Sequence, residues 1–129
     1  MTLKVLVVDD SRSTRTIVKN AFGSYDSELV EAENGVEGLA LAEKESPDLI
    51  ILDMELPVLS GLETLGKLKA DPVLKGIPVF LMMTETGQDA ARQIVRMDVQ
   101  DYIVKPFTEE QLLRPIKRIV TLQPKTDIS

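Results

Sequence analysis

The chain has no cysteine and no histidine. Disulfides, thiol catalysis and Cys/His zinc sites are therefore excluded. So are Ser-His-Asp and Cys-His machinery, and a histidine that itself carries a phosphoryl group. Tryptophan is absent and aromatic residues are 4% of the 129 residues, which leaves little to stack on a flavin. Positive charge is in deficit, 15 Lys and Arg against 21 Asp and Glu, a net charge of −6. Binding nucleic acid needs clustered cations to neutralise phosphates, so no direct nucleic-acid partner is expected. No segment approaches the ~18 uninterrupted apolar residues of a transmembrane helix, and no membrane partner is expected. Met1-Thr2-Leu3-Lys4 leads straight into an apolar run with no basic-then-apolar leader, so the cytoplasm is the default location. The chemistry that remains belongs to carboxylates, lysine, arginine and hydroxyls.

What is present is an alternation of apolar runs and helical patterns. Lys4–Val8, Leu49–Leu52, Val79–Met83 and Tyr102–Val104 are short apolar runs, and Glu28–Ala32 alternates in polarity. Continuous runs suit strands buried on both faces, and alternation suits an edge strand. Between them, Ile17, Val18, Ala21 and Phe22 fall on one helical face, as do Val36, Leu39 and Ala40, and Leu62, Leu65 and Leu68. The stretch Gln88–Met97 is a fourth helix, with only Ala91, Ile94 and Val95 to bury. Leu112, Leu113, Ile116, Ile119 and Val120 form the stripe of a fifth, which opens on a Thr108-Glu109-Glu110-Gln111 capping box. The pattern predicts an α/β fold of (βα)5 type, a doubly wound five-stranded parallel sheet with helices on both faces. About 26 residues per unit (129 over five) fits the roughly 30 of a βαβ step. One domain, residues 1–122, is expected, followed by a polar tail, 123–129, that frays or begins a linker.

The informative polar residues stand at the carboxyl ends of the apolar runs: Asp9 and Asp10 after the first, Asp53 after the third, Thr84 after the fourth, Lys105 and Pro106 after the fifth. Open parallel sheets bind ligands at those ends. Placing the first strand beside the third brings three carboxylates together, and two unit charges at ~4 Å repel by about 4 kcal/mol at an effective dielectric near 20. Such a cluster needs a cation or protons. With oxygen ligands only, the ion is a hard one, Mg²⁺ or Mn²⁺. Lys105 and the Thr84 hydroxyl would then face the same pocket, and both suit phosphate oxygens. Singly, each has an ordinary reading: a turn-forming or capping aspartate, a strand-end threonine, a solvated lysine before proline. Their gathering at one end of successive strands is what carries weight.

These residues resemble the response-regulator receiver domains of bacterial two-component signalling, the CheY-like family. The resemblance rests on Val7-Val8-Asp9-Asp10-Ser11-Arg12, on the run from Leu52-Asp53 to Pro57 and Ser60-Gly61, on Thr84, and on Asp101-Tyr102-Ile103-Val104-Lys105-Pro106-Phe107. It spans about Leu3 to Leu122. It implies a flavodoxin-like strand order of 2-1-3-4-5. It implies that Asp53 accepts a phosphoryl group from a histidine kinase or phosphotransfer domain. Asp10 would bind Mg²⁺ directly, Asp9 by way of water, and Asp53 and the backbone carbonyl of Glu55 would complete the metal set. Lys105 would pair with the phosphoryl oxygens, Thr84 would close onto them, Tyr102 would turn inward, and Lys105–Pro106 would be a cis peptide. The surface of the fourth helix, fifth strand and fifth helix would then change for an output protein or effector domain. The implied protein is a signalling receiver that promotes its own phosphorylation and dephosphorylation, without turnover of an external substrate as its main role.

Four positions depart from the family pattern. Glu85 follows Thr84 where a small residue is usual, and would crowd the pocket and slow phosphorylation. Glu55 adds a carboxylate at the pocket mouth. Asp98 stands where many receivers have glycine. Pro115 falls inside the last helix, where it should produce a kink near the middle. Pro115 and Gln111 also replace an Arg and an acidic residue that form a phosphorylation-linked dimer in some receivers, so a monomer or weak dimer is expected. The main alternative is a pseudo-receiver, an interaction module that works unphosphorylated. A phosphohydrolase with an aspartate nucleophile would show D-x-D-x-T after the first strand, which Asp10-Ser11-Arg12-Ser13 does not match. An FMN carrier would not place an acidic loop where phosphate must sit.

Overall fold

The computed structural model describes residues 2–84 and 99–125. The expected helix at 88–97 and the positions Glu85 and Asp98 lie outside them. Five parallel strands, β1 (Leu3–Val8), β2 (Ser27–Ala32), β3 (Leu49–Asp53), β4 (Val79–Met83) and β5 (Asp101–Val104), form one sheet in the order β2-β1-β3-β4-β5. Helices α1 (Arg12–Ala21), α2 (Gly35–Glu45), α3 (Gly61–Ala70) and a C-terminal helix (Glu109–Ile116) connect and cover it. This is the doubly wound, flavodoxin-like arrangement. Among the described residues, no helix is long and apolar enough to cross a membrane.

The strands read as apolar runs because the sheet is buried on both faces. Alternate residues feed two cores: Leu6, Val8, Ile50, Leu52, Leu81 and Met83 pack with Leu65 and Leu68 on one face. Val5, Val7, Leu49, Ile51, Phe80 and Met82 pack with Val18, Phe22, Leu112 and Ile116 on the other. Every residue of β3 and β4 is buried. The half-exposed β2 lies at one edge, as its alternating polarity requires.

Side-chain caps fix where the helices begin. Ser11 caps α1, Asn34 caps α2, and Ser60 with Glu63 forms a capping box on α3. Thr108 and Gln111 form the expected box on the C-terminal helix. Pro115 stands in the last turn of that helix, not at its middle. Pro115 has no N–H to offer the Gln111 carbonyl, and regular helix ends one residue later, at Ile116. Tighter turns follow, with Arg118 N–H on the Pro115 carbonyl at 3.1 Å and Ile119 N–H on the Ile116 carbonyl at 2.9 Å. Ile119 and Val120 reach the core from these turns. The chain at 123–125 runs against the turn before β2: Asp26 N–H donates to the Gln123 carbonyl (2.7 Å) and Lys125 N–H to the Ser24 carbonyl (3.1 Å).

Candidate functional site

The register of the sheet builds the site. Val8 of β1 lies opposite Leu52 of β3, so Asp9 and Asp53, each one residue further on, end neighbouring strands. Asp9 is fully buried and Asp53 is 2% exposed. Exposed Asp10 completes the group, and the three residues offer carboxylate oxygens within 4.8 Å of one another. Lys105, after β5, reaches across the strand ends to both buried members. Its Nζ lies 2.7 Å from Asp9 Oδ2 and 3.3 Å from Asp53 Oδ2. The Lys105–Pro106 peptide is cis.

Local backbone geometry holds each carboxylate. Ser11 N–H donates to Asp9 Oδ1 at 2.8 Å, and Glu55 N–H donates to Asp53 Oδ1 at 3.2 Å. The loop after Asp53 returns at once to its own strand. Gly61 N–H donates to the Met54 carbonyl at 3.1 Å, and a Cβ on Gly61 would lie 2.2 Å from the Asp53 carbonyl oxygen. Only glycine permits that approach. Within the loop, Leu59 N–H donates to the Pro57 carbonyl at 2.7 Å, closing a three-residue turn around Val58 at φ 67°.

Burial and like charge set the electrostatics. Removal from water pushes the Asp53 carboxyl up from 3.8 to about 6; Asp9 pushes the same way, and Lys105 and the Glu55 N–H offset only part of this. Burial works against the Lys105 ammonium, but the hydrogen bond to Asp9 and the charges of Asp53 and Asp9 outweigh it and hold the group above 10.5. An acidic cluster tied to one lysine is short of positive charge. Its all-oxygen donors suit a hard divalent ion.

Thr84 follows β4 and Tyr102 lies in β5. The Thr84 hydroxyl donates to Glu55 Oε1 at 2.5 Å. Tyr102 is 49% exposed. Gln111 spends its side chain on the helix cap, its Oε1 accepting from Thr108 N–H at 2.9 Å.

Sequence reasoning missed Arg15. It is buried in α1, and its Nη1 donates to the Asp9 carbonyl at 2.7 Å while Nε meets Glu31 Oε1 at 3.1 Å. It thereby fastens the backbone of the acidic pair to edge strand β2. The available signal was its spacing: Arg15 precedes Val18 and Phe22 on the inward stripe of α1, where an unpaired cation would be costly.

Residues 5–117 match the response regulator receiver domain family. The chain is 34% identical over 120 residues to a chemotaxis protein CheY homolog of Campylobacter jejuni, covering 92% of each. It is 36% identical over 119 residues to the chemotaxis protein CheY of Listeria monocytogenes, covering 90% of this chain and 97% of that one. Its fold superposes on the chemotaxis response regulator CheY4 of Vibrio cholerae with a TM-score of 0.85 at 32% identity, over 93% of this chain and all of the other. With the fold, the acidic cluster and the lysine already in place, these matches show that the chain belongs to the response regulator receiver domain family, the CheY-like signalling modules.

Proposed function

We propose that the chain is a phosphoacceptor in a two-component relay, with Asp53 as the residue modified. The observation that supports this most directly is the buried Asp53 carboxylate beside Lys105 (3.3 Å) at the mouth of an acidic cluster. In the proposed step, an Asp53 carboxylate oxygen attacks the phosphorus of a phosphohistidine on a kinase or phosphotransfer domain. The O–P bond of an acyl phosphate forms, the P–N bond breaks, and the imidazole leaves with the electron pair. Phosphoryl transfer depends on positioning and charge neutralisation more than on bond-making groups.

Asp9, Asp10, Asp53 and the Glu55 carbonyl would hold Mg²⁺ or Mn²⁺, which supplies positive charge to the transferring oxygens. Lys105 supplies the chain's own positive charge and moves from Asp53 to the phosphoryl oxygens. Thr84 donates its hydroxyl to those oxygens, and Tyr102 rotates from solvent toward the space vacated. The surface containing β5 and the C-terminal helix is then altered for an output partner. The proposed setting is the cytoplasm.

The test is incubation with Mg²⁺ and acetyl phosphate, followed by intact mass. Wild type should gain one phosphoryl group and Asp53→Asn none. An unmodified wild type would leave the pseudo-receiver reading in its place.

A further inference from the structure

The contact between Glu55 and Thr84 has a cause in the sheet and a consequence for switching. Asp53 of β3 is opposite Met82 of β4. Carrying that parallel register two residues further puts Glu55 opposite Thr84, and the Thr84 hydroxyl donates to Glu55 Oε1 at 2.5 Å. A threonine hydroxyl has one proton to donate. Phosphoryl oxygens on an acyl phosphate only accept. Thr84 therefore cannot serve Glu55 and a phosphoryl group at once.

We propose that Glu55 is a positioning residue that acts as a latch: it occupies the single proton of Thr84 and holds the receiver in its resting conformer until a phosphoryl group outcompetes it. This rests on the phosphoacceptor reading and adds a regulatory threshold to it. The latch sets how much phosphoryl signal is needed, and leaves the nucleophile Asp53 untouched. Glu55 is solvent-exposed, so its hold is moderate, on the order of five- to tenfold in the switching equilibrium.

The experiment titrates the full chain, in saturating Mg²⁺, with beryllofluoride, a mimic of the bound phosphoryl group. The ring resonances of Tyr102, which is 49% exposed in this conformer, report the switch in the wild-type and Thr84→Val backgrounds alike. Glu55→Ala should respond at about five- to tenfold lower beryllofluoride than wild type, and Glu55→Gln, which keeps an acceptor without charge, in between. A Thr84→Val background removes the shared proton. There, Glu55→Ala should change the midpoint less than about twofold. A full-sized effect of Glu55→Ala in the Thr84→Val background would overturn the latch and assign the effect to repulsion of the ligand through space. An unchanged midpoint with Thr84 present would also overturn it, while a responsive wild type and a silent Asp53→Asn would leave the phosphoacceptor reading standing. Silence of both wild type and Glu55→Ala would overturn the phosphoacceptor reading and the latch with it.

Discussion

The ends of β1 and β3 place the same residue type at the same edge of the sheet and treat it differently. Asp9 is held on every side: Ser11 N–H at 2.8 Å on one oxygen, Lys105 at 2.7 Å on the other, and Arg15 at 2.7 Å on its carbonyl. Asp53 is nearly as buried, yet its bonds are longer, 3.2 Å from Glu55 N–H and 3.3 Å from Lys105. One carboxylate is a fixed support. The other is desolvated without being fully compensated, the condition of a group left available to react. Stability has been given up at the second position, and that difference can be measured.

Lys105 serves both ends, so removing it should have the largest effect. Lys105→Met would leave Asp9 and Asp53 buried against each other with no cation between them. We expect a loss of about 3 kcal/mol in metal-free buffer by denaturant unfolding, because breaking a buried pair strands its partner. Mg²⁺ should recover part of it. A loss no larger than that of an exposed ion pair would show that the cluster is already neutralised by protons.

Next is the loop that serves β3 alone. Gly61→Ala would drive a Cβ to 2.2 Å from the Asp53 carbonyl and 2.4 Å from Met54 Cα. Backbone must shift, at a cost of about 2–3 kcal/mol, and phosphorylation of Asp53 should fall with it. Gly66→Ala, in the same helix, meets nothing within 4 Å and should instead stabilise by about 0.5–1 kcal/mol. Equal outcomes at the two glycines would remove close packing as the reason for Gly61.

The carboxylates themselves can be compared directly. Folding raises the Asp53 carboxyl from 3.8 to about 6, so between those values the native state binds more protons than the unfolded one. Stability therefore declines as pH rises through about 4 to 6. Asp53→Asn removes this penalty. In metal-free buffer it should raise stability by about 2 kcal/mol at pH 7 and by almost nothing near pH 4. Asp9→Asn should gain less, since it disturbs two short contacts, from Ser11 N–H and Lys105 Nζ. Thermal melts across that pH range decide it, and an equal or larger gain at Asp9 would reverse the contrast drawn between the two ends.

The parts visible in the sequence were those that leave a pattern along the chain. A parallel sheet covered on both faces writes itself as continuous apolar runs, so β1, β3 and β4 were legible. Polar residues just beyond those runs marked Asp9, Asp10, Asp53 and Thr84, and the shorter run of β5 marked Lys105. The strand order came from family resemblance alone, because periodicity does not say which strands are neighbours. Contacts that depend on pairing were hidden for the same reason. Glu55 meets Thr84 only once β3 and β4 are in register, and Arg15 meets Asp9 only once α1 is folded back on β1. Pro115 announced a disturbance but not its place: it stands in the last turn of regular helix, where the chain passes into tighter turns.

Val58 left no sequence signal at all. Nothing about a β-branched residue suggests the left-handed region, yet it sits at φ 67° with 85% of its surface exposed. No packing explains it, since so exposed a side chain recovers little in contacts. The conformation is imposed by its neighbours, through the Leu59 N–H to Pro57 carbonyl bond that turns the chain from Asp53 toward α3. The turn at the β1 end, by comparison, uses Asp9 and Ser11 side chains and contains no residue at positive φ. Strain is thus confined to the end that carries the candidate phosphoacceptor. Val58→Asn, which tolerates this conformation, should stabilise the protein by about 1 kcal/mol without altering metal-free spectra around Asp9. If the strain belongs only to the loop's path, Asp53 will be phosphorylated at the wild-type rate in this variant. A slower rate would mean that the strained turn helps present the Asp53 carboxylate, extending the contrast between the two strand ends from side chains to backbone.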